Sequence, residues 1–130
     1  MGVSPFGTTA DGRSVERIEI TSAELRVAVL TWGAVLQDVR LVGDDVPLTL
    51  GGPELAAYAG PMKSFGAVMG PVVNRIRGAG APIAGVPHRF EANLDGQHTK
   101  HGGSHGPHVQ VWEIAEVAPD RVVLTLTLPD

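Results

Sequence analysis

The sequence predicts an all-β fold, an antiparallel β-sandwich, and three observations point to it. Short apolar runs with alternating exposure recur along the chain, at 15–20, 25–31 and 122–128. Glycine (17) and proline (10) are scattered between those runs as turn punctuation and are not gathered into a linker. No alternation of strands with long amphipathic helices appears, which sets aside Rossmann-like and α/β-barrel architectures.

Taken in order, 15–20 and 25–31 read as an antiparallel pair, with Leu25, Val27 and Val29 on one face and the Thr21-Ser22 break between them. Trp32-Gly33-Ala34 interrupts the pattern before 35–42 resumes it, and a glycine inside such a run suggests a bulge or a close backbone approach. Gly43-Asp44-Asp45 is the next turn, leading to an expected short strand at 46–50. Pro53-Glu54-Leu55-Ala56-Ala57-Tyr58 reads as one short helix, opened by proline and closed by Gly60-Pro61. From 65 to 84 glycine recurs every few residues, so strands there are expected to be brief and loops plentiful. A last pair is expected at 109–117 and 122–128, joined by a turn at Asp120.

With 130 residues and no interior polar or low-complexity stretch, residues 1–130 form one unit. An apolar share of 43% against 18% charged residues favours a packed core over disorder. The formal net charge of -4 gives no reason to meet a polyanion, so nucleic acid is not an expected partner. The absence of cysteine excludes disulfides and thiolate metal sites. The first residues carry no basic-then-apolar leader, and no apolar run approaches bilayer length, so a cytoplasmic protein without membrane contact is expected. Gly78-x-Gly80, with the next glycine at Gly85, fits neither a dinucleotide fingerprint nor a P-loop, and no Ser/His/Asp order is readable. No cofactor is expected.

Two polar clusters stand out. Residues 98–108 hold four of the five histidines: His98, His101, His105 and His108. Three readings compete: a metal site, loop histidines without a role, and a sugar ligand. The i/i+3 spacing of His98 with His101, and of His105 with His108, brings imidazoles to one face only in a helix, and two glycines and a proline oppose a helix here. No metal is therefore expected, and His98, His105 and His108 are expected to be exposed. His101 is the candidate sugar ligand, because an imidazole can donate, accept and titrate near neutrality.

The second cluster is Asn74-Arg75-Ile76-Arg77. On an extended segment its two arginines would share one side, which is compatible with a solvated rim. An Asn-Arg pair also offers fixed donors and one amide acceptor, the equipment for gripping vicinal hydroxyls. Trp32 and Trp112 are either core anchors in apolar strands or stacking platforms for a sugar ring. Asp95, Glu113 and Glu116 are carboxylates, and none is a persuasive general base.

At these clusters the sequence resembles the aldose 1-epimerase (galactose mutarotase) family. Gly70-Pro71-Val72-Val73-Asn74-Arg75-Ile76 is similar to the family's Gly-Arg-x-x-Asn-Arg-Ile segment. Lys100-His101-Gly102-Gly103-Ser104-His105-Gly106, with Trp112 following, is similar to its Leu-His-Gly-Gly segment. Thr31-Trp32-Gly33-Ala34 also resembles the family's N-terminal pattern. The resemblance implies a large antiparallel sandwich that interconverts the α and β anomers of a free aldose such as glucose or galactose. In such enzymes a glutamate takes the C1 hydroxyl proton and a histidine protonates the ring oxygen. Arg75, His101 and Asn74 are the substrate-binding residues that the resemblance carries over.

The departures are Pro71 for an arginine, Lys100 for a leucine, and Pro107-His108 for Phe-Asp. The family's acid histidine and base glutamate belong to later parts of its sequence, so no catalytic residue is assignable in this chain. Only part of the full sandwich is then expected, with self-association or a missing C-terminal portion covering the open faces. The alternative function is a non-catalytic carbohydrate-binding or structural β-sandwich module.

Overall fold

The computed structural model describes residues 2–129. Its main sheet has four antiparallel strands, β1 (Gly2–Thr8), β2 (Ser14–Thr21), β3 (Leu25–Leu30) and β4 (Leu36–Leu41), hydrogen-bonded in chain order. The expected β2–β3 pair forms with Arg17 opposite Leu30 and Thr21 opposite Arg26. Its core side is not the Leu25/Val27/Val29 face. Ala28 and Leu30 are the buried residues of β3, while those three remain half-buried.

β1 carries no alternating apolar signal, since Pro5 and Gly7 interrupt it. It forms at the sheet edge with a register shift between those two residues, a position where a missing N–H is tolerated. The strand expected at 46–50 does not form. Pro47 has no N–H to donate, and the Val46 N–H is taken at 2.8 Å by Asp44 Oδ1, so only the Leu48 N–H reaches β4, at Val39 O.

The short helix, α1 (Leu55–Ala59), starts two residues later than its proline suggested. It places Leu55 and Tyr58, three residues apart on one face, into a core with Val15, Leu30, Trp32 and Val35. Tyr58 is 1% exposed, and its hydroxyl accepts the Gly52 N–H at 2.8 Å, so the ring is buried without an orphaned oxygen.

Beyond α1 the strands are brief. β5 (Arg75–Ile76) pairs with β8 (Thr99–Lys100), and between them β6 (Gly80–Ile83) and β7 (Val86–Arg89) make a hairpin. β9 (Glu113–Ala118) and β10 (Arg121–Thr125) form the last antiparallel pair, shorter at both outer ends than the apolar runs suggested. Val109 instead closes a 3-10 turn, Pro107–Val109. The Pro119 carbonyl between β9 and β10 accepts the Thr21 N–H at 2.7 Å, tying this pair to β2. Every named strand pair is antiparallel, as in a sandwich of this kind.

Candidate functional site

The β5–β8 ladder brings the two sequence clusters together. Arg75 lies opposite Lys100, and Ile76 opposite Thr99. Thr99 anchors the ladder: it is 1% exposed, and its hydroxyl donates to Glu91 O at 2.9 Å. One residue beyond each strand, Asn74 and His101 lock reciprocally. His101 N–H donates to Asn74 O at 3.0 Å, and Asn74 N–H donates to His101 Nδ1 at 3.2 Å. Arg75 Nη1 then donates to Asn74 Oδ1 at 3.0 Å, which fixes the guanidinium relative to the imidazole.

Asn74 (φ 64) and His101 (φ 52) are both left-handed, a conformation that costs a non-glycine residue about 1–2 kcal/mol. Asparagine tolerates it best, and the reciprocal bonds hold the histidine there. The glycines that follow have steric reasons. A Cβ on Gly102 would overlap the Gly70 carbonyl oxygen, and one on Gly103 would sit 2.5 Å from Glu91 Oε2. His-Gly-Gly is therefore the pattern that lets this turn lie against both the 70–74 segment and Glu91.

Because Nδ1 of His101 accepts the Asn74 amide, the hydrogen bond assigns the imidazole proton to Nε2. In its neutral form the side chain then offers a donor and no acceptor, which narrows the donor-or-acceptor role expected from sequence. Its pKa is lowered from the ordinary value by burial first, then by the charges of Lys100 and Arg75. The neutral form is thus favoured near neutrality. Asn74 and Arg75 are exposed and His101 half-buried, so the arrangement is an open platform instead of an enclosed hollow.

Two of the other histidines depart from expectation. His108 is not an exposed loop residue: it is 6% exposed, its ring centroid lies 6.2 Å from that of His101, and it meets it edge-on at 70°. The Pro107–Val109 turn folds it inward. Gly106 permits this, since a Cβ there would lie 2.8 Å from His108 Nδ1. That nitrogen has no hydrogen-bond partner among the described residues, and burial, followed by the charges of His101, Lys63 and Lys100, lowers the His108 pKa. His98 is half-buried, and its Nδ1 accepts the Gly78 N–H at 3.0 Å, so it has a structural role. His105 is exposed beside the Ser104 hydroxyl.

The remaining candidates are also placed. Arg77 does not extend β5 beside Arg75 but opens a 3-10 turn, Arg77–Ala79. Trp32 is in the core with Nε1 unpartnered among the described residues, while Trp112 is half-buried and donates Nε1–H to Pro107 O at 3.0 Å. Glu113 and Glu116 are exposed, and Asp95 is exposed in a turn. No three or more His, Cys, Asp or Glu side chains cluster to hold a metal among the described residues. No described helix is long and apolar enough to cross a membrane.

Sequence reasoning missed Asn93 and Glu91. The Asn93 amide imitates a neighbouring strand, donating to Lys100 O at 2.8 Å and accepting Lys100 N–H at 2.7 Å. An asparagine two residues before an Asp-Gly turn was the available signal. Glu91 binds Ser104 through both its N–H and its hydroxyl, at 2.8 and 2.6 Å. Those bonds, the hydroxyl's first, hold its carboxyl below the ordinary range. Nothing in the sequence around Glu91 marks it.

Solved structures share this architecture. Galactose 1-epimerase from Lactobacillus acidophilus NCFM superposes with a TM-score of 0.81 at 25% identity, covering 99% of this chain and 39% of its own. The GalM/aldose epimerase homologue from C. elegans gives 0.74 at 27% identity, covering 85% and 35%. The fold is thus the antiparallel β-sandwich of these epimerases, of which the chain is a part. Residues 16–130 match the aldose 1-epimerase family, and the chain belongs to that family. Among curated relatives, galactose mutarotase of Sus scrofa is 30% identical over 130 residues, 90% of this chain and 38% of that protein. Maltose epimerase of Levilactobacillus brevis is 35% identical over 101 residues, 75% of this chain and 29% of that protein. The chain thus spans a little over a third of the length of the mutarotase it matches.

Proposed function

We propose that Asn74, Arg75 and His101 bind a free aldose, such as galactose or glucose, in the manner of an aldose 1-epimerase. The observation that carries this reading is the reciprocal Asn74–His101 lock with the Arg75 guanidinium tied to it. It presents the His101 Nε2–H and the remaining guanidinium N–H groups as an organised donor array, suited to the lone pairs of ring and hydroxyl oxygens. The names of the relatives, galactose mutarotase and maltose epimerase, support a sugar as the ligand.

Anomer interconversion needs a base at the C1 hydroxyl and an acid at the ring oxygen. We assign neither role within this chain. Glu91 is the carboxylate bound to the histidine loop, and its two bonds from Ser104 make it a weak base. That observation favours a second reading, a carbohydrate-binding module without the chemistry. Polarimetry of fresh α-galactose and α-glucose, run beside a sugar titration, tests whether this chain supplies the chemistry as well as the binding. The 130-residue chain is expected to bind sugar without accelerating mutarotation above background, and catalysis by it would require a base among these residues. The reading carries with it a cytoplasmic location, which cell fractionation tests.

A further inference from the structure

The ten basic residues divide sharply. Arg13, Arg17, Arg26, Arg40 and Arg121 each pair with a carboxylate. Lys63, Arg75, Arg77, Arg89 and Lys100 have no carboxylate partner among the described residues, and they are all the cations between residues 63 and 100. In a chain of net charge -4, the segment that builds the candidate site is the one that leaves its cations unpaired.

Two of them are forced together. Arg75 and Lys100 are directly opposite on antiparallel strands, so their side chains leave the same face. The Lys100 N–H and C=O both turn away from β5 to the Asn93 amide, while His101 N–H turns toward Asn74. Arg75 and Lys100 are therefore a non-hydrogen-bonded pair, the kind in which opposed side chains come closest. Like charges in that position destabilise a ladder, and the acceptor given to Arg75 is a neutral amide. Both charges are also felt at His101, which follows Lys100 in the chain and lies diagonally across the ladder from Arg75.

We infer that the Arg75–Lys100 pair binds an anionic substituent on the sugar, a carboxylate or a phosphate, so that the preferred ligand is an acidic aldose and not a neutral one. The inference rests on the sugar-binding reading above and specifies its substrate class. Asn93 is a positioning residue in this arrangement, since it holds the Lys100 backbone.

The test is an NMR titration of the isotope-labelled 130-residue chain with galactose, galacturonate, galactose 6-phosphate and inorganic phosphate, following the Asn74, Arg75, Lys100 and His101 signals. At least one acidic sugar is expected to bind about tenfold or more tighter than galactose, the scale of one charge-assisted hydrogen bond. The galacturonate and galactose 6-phosphate arms decide which anion is meant. Lys100→Leu is expected to remove the preference and Lys100→Arg to keep it, with the spectrum of each variant showing that it folds. Equal affinity for galactose and both acidic sugars overturns the inference and leaves the sugar-binding reading standing. Inorganic phosphate matching galactose 6-phosphate, with no response to galactose or galacturonate, overturns both, because the site then reads an anion and no sugar. Silence to all four ligands likewise overturns both.

Discussion

Gly102→Ala tests whether the histidine turn is held against the 70–74 segment, and Gly12→Ala supplies its reference. Both glycines are left-handed, at φ 76 and φ 87. Each substitution incurs the same cost for an L-residue in that region, about 1–2 kcal/mol, and the same loss of unfolded-chain freedom, so both terms cancel in the comparison. The surroundings differ. A Cβ on Gly12 meets nothing within 4 Å, whereas one on Gly102 falls far inside the 3.0 Å limit against the Gly70 carbonyl oxygen. Both groups there are backbone, so no side chain can swing aside, and relief requires the turn to move away from Gly70. Overpacking of this kind costs about 1–3 kcal/mol, a sizeable share of the 5–15 kcal/mol total typical of a domain.

Gly102→Ala is therefore expected to unfold at lower urea than Gly12→Ala, by a difference of about 1–3 kcal/mol at a common m-value. Because Gly102 follows His101, the same displacement opens the His101–Asn74 lock, so sugar binding is expected to be lost in Gly102→Ala and kept in Gly12→Ala. Equal midpoints for the two variants would refute the close approach on which the site geometry depends.

Asn74→Ala removes the acceptor for Arg75 and puts a less tolerant residue at φ 64, so urea denaturation should show a loss of about 1–2 kcal/mol, accompanied by weaker sugar binding in a titration. The lowered pKa values of His101 and His108 mean that the folded chain binds fewer protons than the unfolded one below the ordinary imidazole value of 6.5. Stability should be full above that pH and decline as pH falls toward the folded values; a melting temperature that rises on acidification from pH 7 to pH 5 contradicts this. Leu48 and Leu50 (82% exposed), beside edge strand β4, predict self-association, so light scattering should show a mean mass that climbs with concentration, and a clean monomer at every concentration counts against it.

Legibility in the sequence followed the source of order in each region. β2, β3 and β10 are ordered by alternating apolar side chains, and that alternation is visible in one dimension, while β9 lies in a run that is mostly apolar. β1 is ordered by backbone pairing to β2 despite Pro5 and Gly7, and the β6–β7 hairpin, Gly80–Ile83 with Val86–Arg89, is exposed over most of its length. Neither carries an apolar code, so neither was readable. The pairing of Arg75 with the His101 turn became readable through motif order, not through periodicity. Side chains that act on backbone were the least visible, as Asn93 on Lys100, Glu91 on Ser104 and His98 on Gly78 show. Asn93 has one local mark, the Asp-Gly turn that follows it, whereas Glu91 and His98 depend on contacts 13 and 20 residues away that no local pattern encodes.

The Thr31-Trp32-Gly33-Ala34 interruption joins the sheet to the site. Trp32 faces the core while bridging to Val111, Thr31 O accepts the Trp112 N–H at 2.8 Å, and Gly33 N–H donates to Gln110 O at 2.8 Å. A Cβ on Gly33 would lie 2.6 Å from the His108 carbonyl oxygen, so the glycine is what allows the 107–112 segment to seat there. That segment carries His108, whose ring backs His101. Three motifs separated in sequence thus form one mechanical chain: the core sets Trp32, Gly33 seats His108, and His108 packs beside the imidazole that Asn74 orients. Since the site's own ladder is only two residues long on each side, its order has to be borrowed from the core through this joint. A side chain at Gly33 should therefore disturb the His101 signals before it disturbs those of β2 and β3.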